Sequence, residues 1–438
     1  MSSTTSAVSA PRLPRGLSSL RHRNYRLFFA GQLISVIGSW MQTTAQSWLV
    51  VSLTASAFKL SLVNVCQFAP VLVLGLFAGV VVDRVPKRTI LLATQSSAAI
   101  CAATLAILDG SGYVRLWHVY VVGLCVGIVN AFDMPARQSF VVDMVGKEDL
   151  PNAIALNSSI FNAGRLVGPA VAGLLIATLG TAVCFALNAV SFLAVIAGLL
   201  MMRIAPVRTE RSGTGLARLR EGLAYVRATP VVLLTVILAG FVATFGMNFN
   251  VWVPLLAKHE FDVGAGGFGV LLSALGLGSL AGALALAFLA RGARPGIMLT
   301  TAAALGVTEL VLAIAAGLSA PIVVGLVLLP ILGFAMTATM SMANTTVQTA
   351  TPNELRGRVL SVYFTVFAGS APFGALLTGA AASRFGTAAS IAMGGAVTLA
   401  AAIVVASRGG FLGSALARVH PLRRDSNAGR AMTTTGED

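Results

Sequence analysis

The sequence predicts an all-α membrane protein: twelve transmembrane helices in two pseudo-symmetric six-helix halves. Three observations carry this. Of 438 residues, 56% are hydrophobic and only 10% charged, against roughly 25% charged in a soluble domain. Apolar stretches of about 20 residues, enough to cross a bilayer, recur along almost the whole chain. A segment of the first half also reappears in the second. The same composition excludes a soluble enzyme, which needs more charge on its surface, and a disordered chain, which holds far less apolar content.

Residues 1–26 read as an N-terminal cytoplasmic tail. Through residue 24 it is Ser/Thr-rich and expected to be disordered, with Arg21, Arg23 and Arg26 as a membrane anchor. The apolar segment that follows is too long for a signal h-region and has no clear cleavage site. The N-terminal half, 27–203, holds spans at about 27–50, 58–82, 89–109, 117–136, 152–177 and 182–203. A cytoplasmic linker, 204–230, carries Arg208, Arg211, Arg218, Arg220 and Arg227. Within it Leu216, Leu219, Leu223 and Val226 recur at helical spacing. An amphipathic helix on the inner membrane surface has this pattern; a tethering loop with a turn or two of helix is the alternative. The C-terminal half, 231–407, holds spans at about 231–255, 265–290, 297–318, 321–345, 358–380 and 388–407, and residues 408–438 form a cytoplasmic tail.

Lys and Arg orient the bundle. With both termini inside, 25 of the 30 basic residues fall on the cytoplasmic side. Lys59, Arg115, Lys258 and Arg384 lie outside, and Arg165 lies within span 5. Trp48, Tyr113, Trp117 and Trp252 fall near the outer ends of spans 1, 3, 4 and 7, as an aromatic belt requires. The net charge of +15 is thus spread over gaps and tails rather than gathered on one face, so no nucleic acid is expected as a partner. The cysteines, Cys66, Cys101, Cys125 and Cys184, lie in apolar runs without metal-ligand spacing.

The internal repeat supports two halves. Glu148-Asp149-Leu150 to Gly180-Thr181-Ala182 resembles Asn353-Glu354-Leu355 to Gly386-Thr387-Ala388 at an offset of about 205 residues. Secondary transporters commonly carry such repeats and bind substrate between them.

Polar residues inside a bilayer face protein or water. In span 1, Gln32, Ser35, Ser39, Gln42 and Gln46 fall on one helical face. Span 4 ends with Asn130, Asp133 and Arg137; span 5 has Ser158, Asn162 and Arg165; span 7 has Thr244 and Asn248; span 10 has Thr337, Ser341 and Asn344. These stripes suggest a solute cavity, with interhelical hydrogen-bond glue as the alternative. Few acids are available: Asp133 lies near the foot of span 4 and Glu309 mid-way along span 9, and the rest sit near span ends, in loops or in tails. A carboxylate in low dielectric can take up and release a proton, so both are proton-coupling candidates. None of the four lysines sits in a Gly-Lys-Ser/Thr loop, so no ATP motor is expected. No catalytic residue, metal cluster or cofactor motif emerges, and an enzyme is not expected.

Between spans 2 and 3 lies Gly79-Val-Val-Val-Asp83-Arg84-Val-Pro-Lys87-Arg88. It resembles the G-x-x-x-D-R-x-x-[RK]-[RK] loop of the major facilitator superfamily. Gly79 would allow close helix approach. The resemblance implies that Asp83 meets the start of span 11, near Gly357 and Arg358, and that the basic residues pair with an acid at the foot of span 4, for which Asp133 is available. A plain positive-inside anchor is the alternative. The second half has Gly282, Arg291 and Arg294 after span 8 but no acid matching Asp83. Span 5 contains Gly164-Arg165-Leu-Val-Gly168-Pro169-Ala-Val-Ala172-Gly173, which is similar to the G-x-x-x-G-P-x-x-G-G motif of drug:proton antiporters, with Ala172 in place of one glycine. Its small residues are expected to pack span 5 closely against the other half. The run from Asp133-Met-Pro135-Ala136-Arg137-Gln138 through Leu150-Pro-Asn152 resembles the branch of macrolide and enterobactin exporters.

The resemblance implies a secondary active efflux transporter in the plasma (cytoplasmic) membrane, exporting small amphipathic molecules by alternating access in exchange for protons. Its partners would be a small-molecule substrate, protons and the lipid bilayer, with a monomer as the expected state. A siderophore or biosynthetic-product exporter is one alternative, and a non-transporting membrane sensor with a transporter fold another.

Overall fold

The computed structural model describes residues 15–203, 215–289 and 292–408; Arg208, Arg211 and Arg291, the first stretch of the linker and the tail beyond 408 lie outside the described residues. Every regular element among the described residues is helical. After a short helical turn, Arg15–Arg21, come α1 Arg23–Leu53, α2 Ala57–Arg84, α3 Lys87–Gly110, α4 Leu116–Gly146 and α5 Glu148–Leu179, and α6 Thr181–Met201. The linker helix is α7 Gly215–Ala228. Then follow α8 Pro230–Glu260, α9 Ala265–Leu289, α10 Pro295–Gly317, α11 Ile322–Thr349, α12 Asn353–Phe385 and α13 Thr387–Ser407.

The twelve predicted spans are α1–α6 and α8–α13. Eleven of these helices are long and apolar enough to cross a membrane. The twelfth, α1, is 31 residues long, and its stripe of glutamines and serines is what dilutes its apolar character. Span 4 runs past its predicted end to Gly146, because the apolar run stops at Arg137 while helical geometry does not. Gly146, at φ +71°, breaks the backbone there.

Contacts divide the chain into two units, Met1–Gln46 with Val73–Arg211 and Ser47–Leu72 with Ser212–Asp438. The core of the first includes Tyr25, Phe28, Phe140, Val195 and Leu199. The core of the second is built from α8–α13 and includes Trp252, Phe268, Leu305, Met336 and Tyr363.

The repeated segments fold alike in detail. α5 passes into α6 at Gly180 and α12 into α13 at Gly386, at φ +87° and +86°. The Gly180 N–H donates to Ile176 O at 3.2 Å and the Gly386 N–H to Ala382 O at 3.1 Å, closing the preceding helix. One glycine thus makes each corner, and only a residue without Cβ adopts that backbone freely. Gly180→Ala and Gly386→Ala should each destabilise the protein by about 1–3 kcal/mol. Thermal unfolding in detergent measures this; an unchanged midpoint would show the corners to be unstrained.

Four expectations change. Residues 15–24 are not a disordered extension. The Ser19 N–H donates to Asn152 Oδ1 at 3.0 Å, and Arg21 and His22 reach Asp149 at 2.8 and 2.7 Å. Hydrogen bonds and a short ion pair fix this polar stretch to the foot of α5. The linker does contain a helix, α7, but its Val226 is buried and Tyr225 Oη donates to Ala350 O at 2.9 Å. Arg358 of α12 also binds Glu221, so α7 has a protein face. Trp252 is core rather than belt, at 3% exposure, because α8 packs on all sides at that level. Trp48 stacks on Phe268 with centroids 5.5 Å apart, whereas Tyr113 and Trp117 are exposed as a belt requires.

Candidate functional site: polar clusters inside the helical units

The densest polar cluster of the first unit surrounds Asp133. Its Oδ1 accepts from Thr94 Oγ1 and Gln95 Nε2, both at 2.8 Å. Its Oδ2 accepts from Arg137 Nε at 2.9 Å and from the guanidinium again at 2.5 Å. The spacing of four on α4 puts Arg137 one turn from Asp133, and α3 brings its two donors from the side. Arg137 also lies over the Phe28 ring at 5.9 Å. A buried carboxylate is tolerated when its oxygens are bonded and a countercharge is near, and both conditions hold. Asn130 of the same stripe is exposed.

The loop after α2 has a different partner from the one expected. Lys87 Nζ pairs with Asp143 at 2.7 Å, and Arg88 donates to Leu200 O at 2.9 Å. Asp143, not Asp133, is the acid at the foot of span 4, because the longer α4 carries it down to the loop. Gly79 was expected to permit a close approach. A methyl group there would meet nothing within 4 Å among the described residues. Asp83 and Arg84 are exposed at the end of α2.

The span-5 motif also packs elsewhere than expected. A Cβ on Gly164 would lie 2.8 Å from Val36 Cγ1, and one on Gly168 2.6 Å from Trp40 Cβ. The motif therefore seats α5 on α1 of its own unit, where only glycine leaves room for the Val36–Trp40 ridge; Pro169 and Gly173 are buried beside it. Arg165 extends over the Trp40 ring of α1 at 5.8 Å, a cation–π contact. Asn162 bonds back to Ser158 O at 2.8 Å.

Gln32, Ser35, Gln42 and Gln46 are all buried, and Ser39 is half-buried. Gln42 Oε1 accepts from Asn188 Nδ2 of α6 at 2.7 Å, so this member of the stripe ties two helices together. Gln32 Nε2 is buried with no hydrogen-bond partner among the described residues.

In the second unit α8 is interrupted. A π-helical turn, Val242–Gly246, is followed by two non-helical residues, Met247 and Asn248. Such turns are frequent at functional sites. Asn248 Nδ2 donates to Thr244 O at 2.6 Å, repairing part of the broken ladder. A Cβ on Gly374 of α12 would lie 3.0 Å from Asn248 Oδ1. Ser341 and Asn344 are half-buried on α11, and Asn344 Oδ1 accepts from Gln348 Nε2 at 3.0 Å. Glu309 is 1% exposed, and its Oε2 has no hydrogen-bond partner among the described residues.

Sequence reasoning missed Thr94, Gln95, Asn188, Asp143 and Thr398. For the first two a signal existed: Thr94-Gln95-Ser96-Ser97 is a polar run inside an apolar span. Asn188 and Ser191, three apart on span 6, gave another.

Among the described residues, twelve long helices with buried polar clusters and ion pairs near helix ends fit one class: a multi-pass membrane transporter. The family model described as transmembrane secretion effector matches residues 15–409, and the chain belongs to this family of the major facilitator superfamily. The multidrug efflux pump Tap of Mycolicibacterium fortuitum is 31% identical over 371 residues, 82% of this chain and 89% of that protein. The enterobactin exporter EntS of Shigella boydii is 27% identical over 340 residues, 77% of this chain and 80% of its own length. Among solved structures, the inward-facing, unoccupied bacterial homolog of the human lysosomal transporter Spinster matches with TM-score 0.66 at 15% identity. That match covers 93% of this chain and 98% of that one, and shares the fold.

Proposed function

We propose that the protein is a secondary active exporter of small amphipathic molecules that works by alternating access and exchanges its substrate for protons. The observation that carries this is the family membership together with 31% identity to a multidrug efflux pump along most of both chains. Siderophore export is the second reading, favoured by the likeness to EntS. On either reading the protein would act in the plasma membrane, and the Lys/Arg distribution supports cytoplasmic termini. The chain would act in two halves, 27–203 and 231–407, joined by the linker 204–230, and as a monomer.

The polar residues gain roles on this reading. Gln32, Ser35, Ser39, Gln46, Asn130, Asn162, Arg165, Asn248, Ser341 and Asn344 would line the path of the solute, with Gln42 bridging to α6. Gly79, Asp83, Arg84, Lys87 and Arg88 would form the inner gate, with Lys87 and Arg88 fastening it to α4 and α6. Asp133 would bind a proton when Arg137 withdraws, since loss of the guanidinium leaves a buried anion without countercharge. Glu309 is the other coupling candidate.

Purified protein in liposomes tests the function. A macrolide panel and a catecholate siderophore panel should separate the two readings, and substrate-dependent proton movement should accompany whichever is transported. Asp133→Asn should slow that movement at least tenfold. A protein that moves neither panel and no protons would be a sensor with a transporter fold.

A further inference from the structure

Glu309 lies on α10 where that helix meets α13 and the interrupted part of α8. The approach is close because glycines face each other. A Cβ on Gly306 would lie 2.7 Å from Gly395 O, and one on Gly395 would lie 2.9 Å from Glu309 Cβ. This packing buries the carboxyl group almost completely.

Two further polar atoms line the neighbouring glycine contacts. A Cβ on Gly394 would lie 2.7 Å from the Phe245 carbonyl and 3.9 Å from Glu309 Oε2, and one on Gly246 would lie 3.1 Å from Thr398 Oγ1. Phe245 and Gly246 belong to the π-helical turn of α8. Thr398 is fully buried and its hydroxyl, like Glu309 Oε2, has no hydrogen-bond partner among the described residues.

Among the described residues no countercharge faces this carboxyl group from the elements packed on it. α10 carries no other charged residue, and α11 and α13 carry none. The charged or titratable side chains of α8 are Lys258, His259 and Glu260, at its far end. A carboxylate anion here would be buried without a partner, which proteins avoid by neutralising the group. A neutral carboxylic acid removes that unpaired charge and keeps an O–H to donate.

We propose that Glu309, where α10 packs on α13 beside the π-helical turn of α8, is a buried proton-binding site of the second unit whose occupancy is linked to the conformation of the α8 interruption. With the proton bound, the acid sits neutral between α10 and α13. When the proton leaves, the anion needs donors. The broken stretch Val242–Asn248 is a neighbouring segment without a continuous α-helical ladder, and so one that can rearrange or admit water to supply them. The site is separate from Asp133, and its use in transport rests on the exporter reading above.

Infrared spectroscopy of the full chain in liposomes, titrated from acid to alkaline pH, reads the C=O stretch of neutral carboxylic acids. Wild type should keep one such band at neutral pH. The band should be lost in Glu309→Gln and retained in Asp133→Asn. Hydrogen exchange of peptides covering 242–248, corrected for intrinsic pH dependence, should rise as wild type is deprotonated and stay flat in Glu309→Gln. An unchanged band in Glu309→Gln overturns the site. A lost band with a wild-type exchange response overturns its link to α8. Neither measurement needs a substrate, so failure of the exporter reading would show separately, in the liposome assay.

Discussion

Asp133→Ala is expected to destabilise the protein by about 3 kcal/mol. Breaking a buried ion pair from one side costs about 3–5 kcal/mol, because the surviving charge is left uncompensated. The side chain of Asp133 is only 6% exposed, but that of Arg137 is 28% exposed. Water therefore relieves part of the penalty on the arginine, and the lower end applies. Thr94 and Gln95 lose their acceptor as well. Asp133→Asn keeps a carbonyl oxygen for them and should cost about 1–2 kcal/mol. Thermal unfolding in detergent, with Arg137→Leu and the double variant completing a cycle, measures the coupling. Strictly additive effects would show that the pair contributes nothing beyond its two side chains.

Asp83→Asn is expected to lower export at least tenfold while leaving membrane insertion and thermal stability as in wild type. Asp83 is exposed at the end of α2, and substitutions at such positions usually change stability by under about 0.5 kcal/mol. In the proposed gate its charge is needed in one conformation more than in the other. A tenfold effect corresponds to a differential of only about 1.4 kcal/mol between them. The substitution removes the charge and keeps the shape. Export assayed in cells, with the amount of protein in the membrane measured in parallel, provides the check. Full export at normal abundance would remove Asp83 from the gate.

The helices were legible because apolar runs of bilayer length leave few other solutions. The corners at Gly180 and Gly386 were legible as a repeat, although nothing in the pattern said that a single residue turned the chain. What escaped was partnership. Asp143 could not be matched to Lys87, because hydropathy ended span 4 just before Arg137, whereas the helix runs on and carries Asp143 down to the loop. The glycines of span 5 announced close packing but not against what, since a small face fits any ridge that reaches it; Trp40 and Val36 of α1 are the ridge here. Glu309 was visible as an isolated acid. Its companions were not, because Thr398 and Phe245 come from helices far apart in sequence and neither residue type is unusual in a span.

The two glycine corners also decide how the topology of this protein can be mapped. A reporter domain or epitope inserted into a connection leaves the fold intact only where the flanking backbone has slack. At Gly180 and Gly386 the same residue closes one helix and opens the next, so an insertion there would splay both. Connections of several residues remain usable, such as Ser111–Arg115 between α3 and α4 or Leu318–Pro321 between α10 and α11. Loss of signal from a tag at either corner would therefore report a broken hairpin rather than a sidedness.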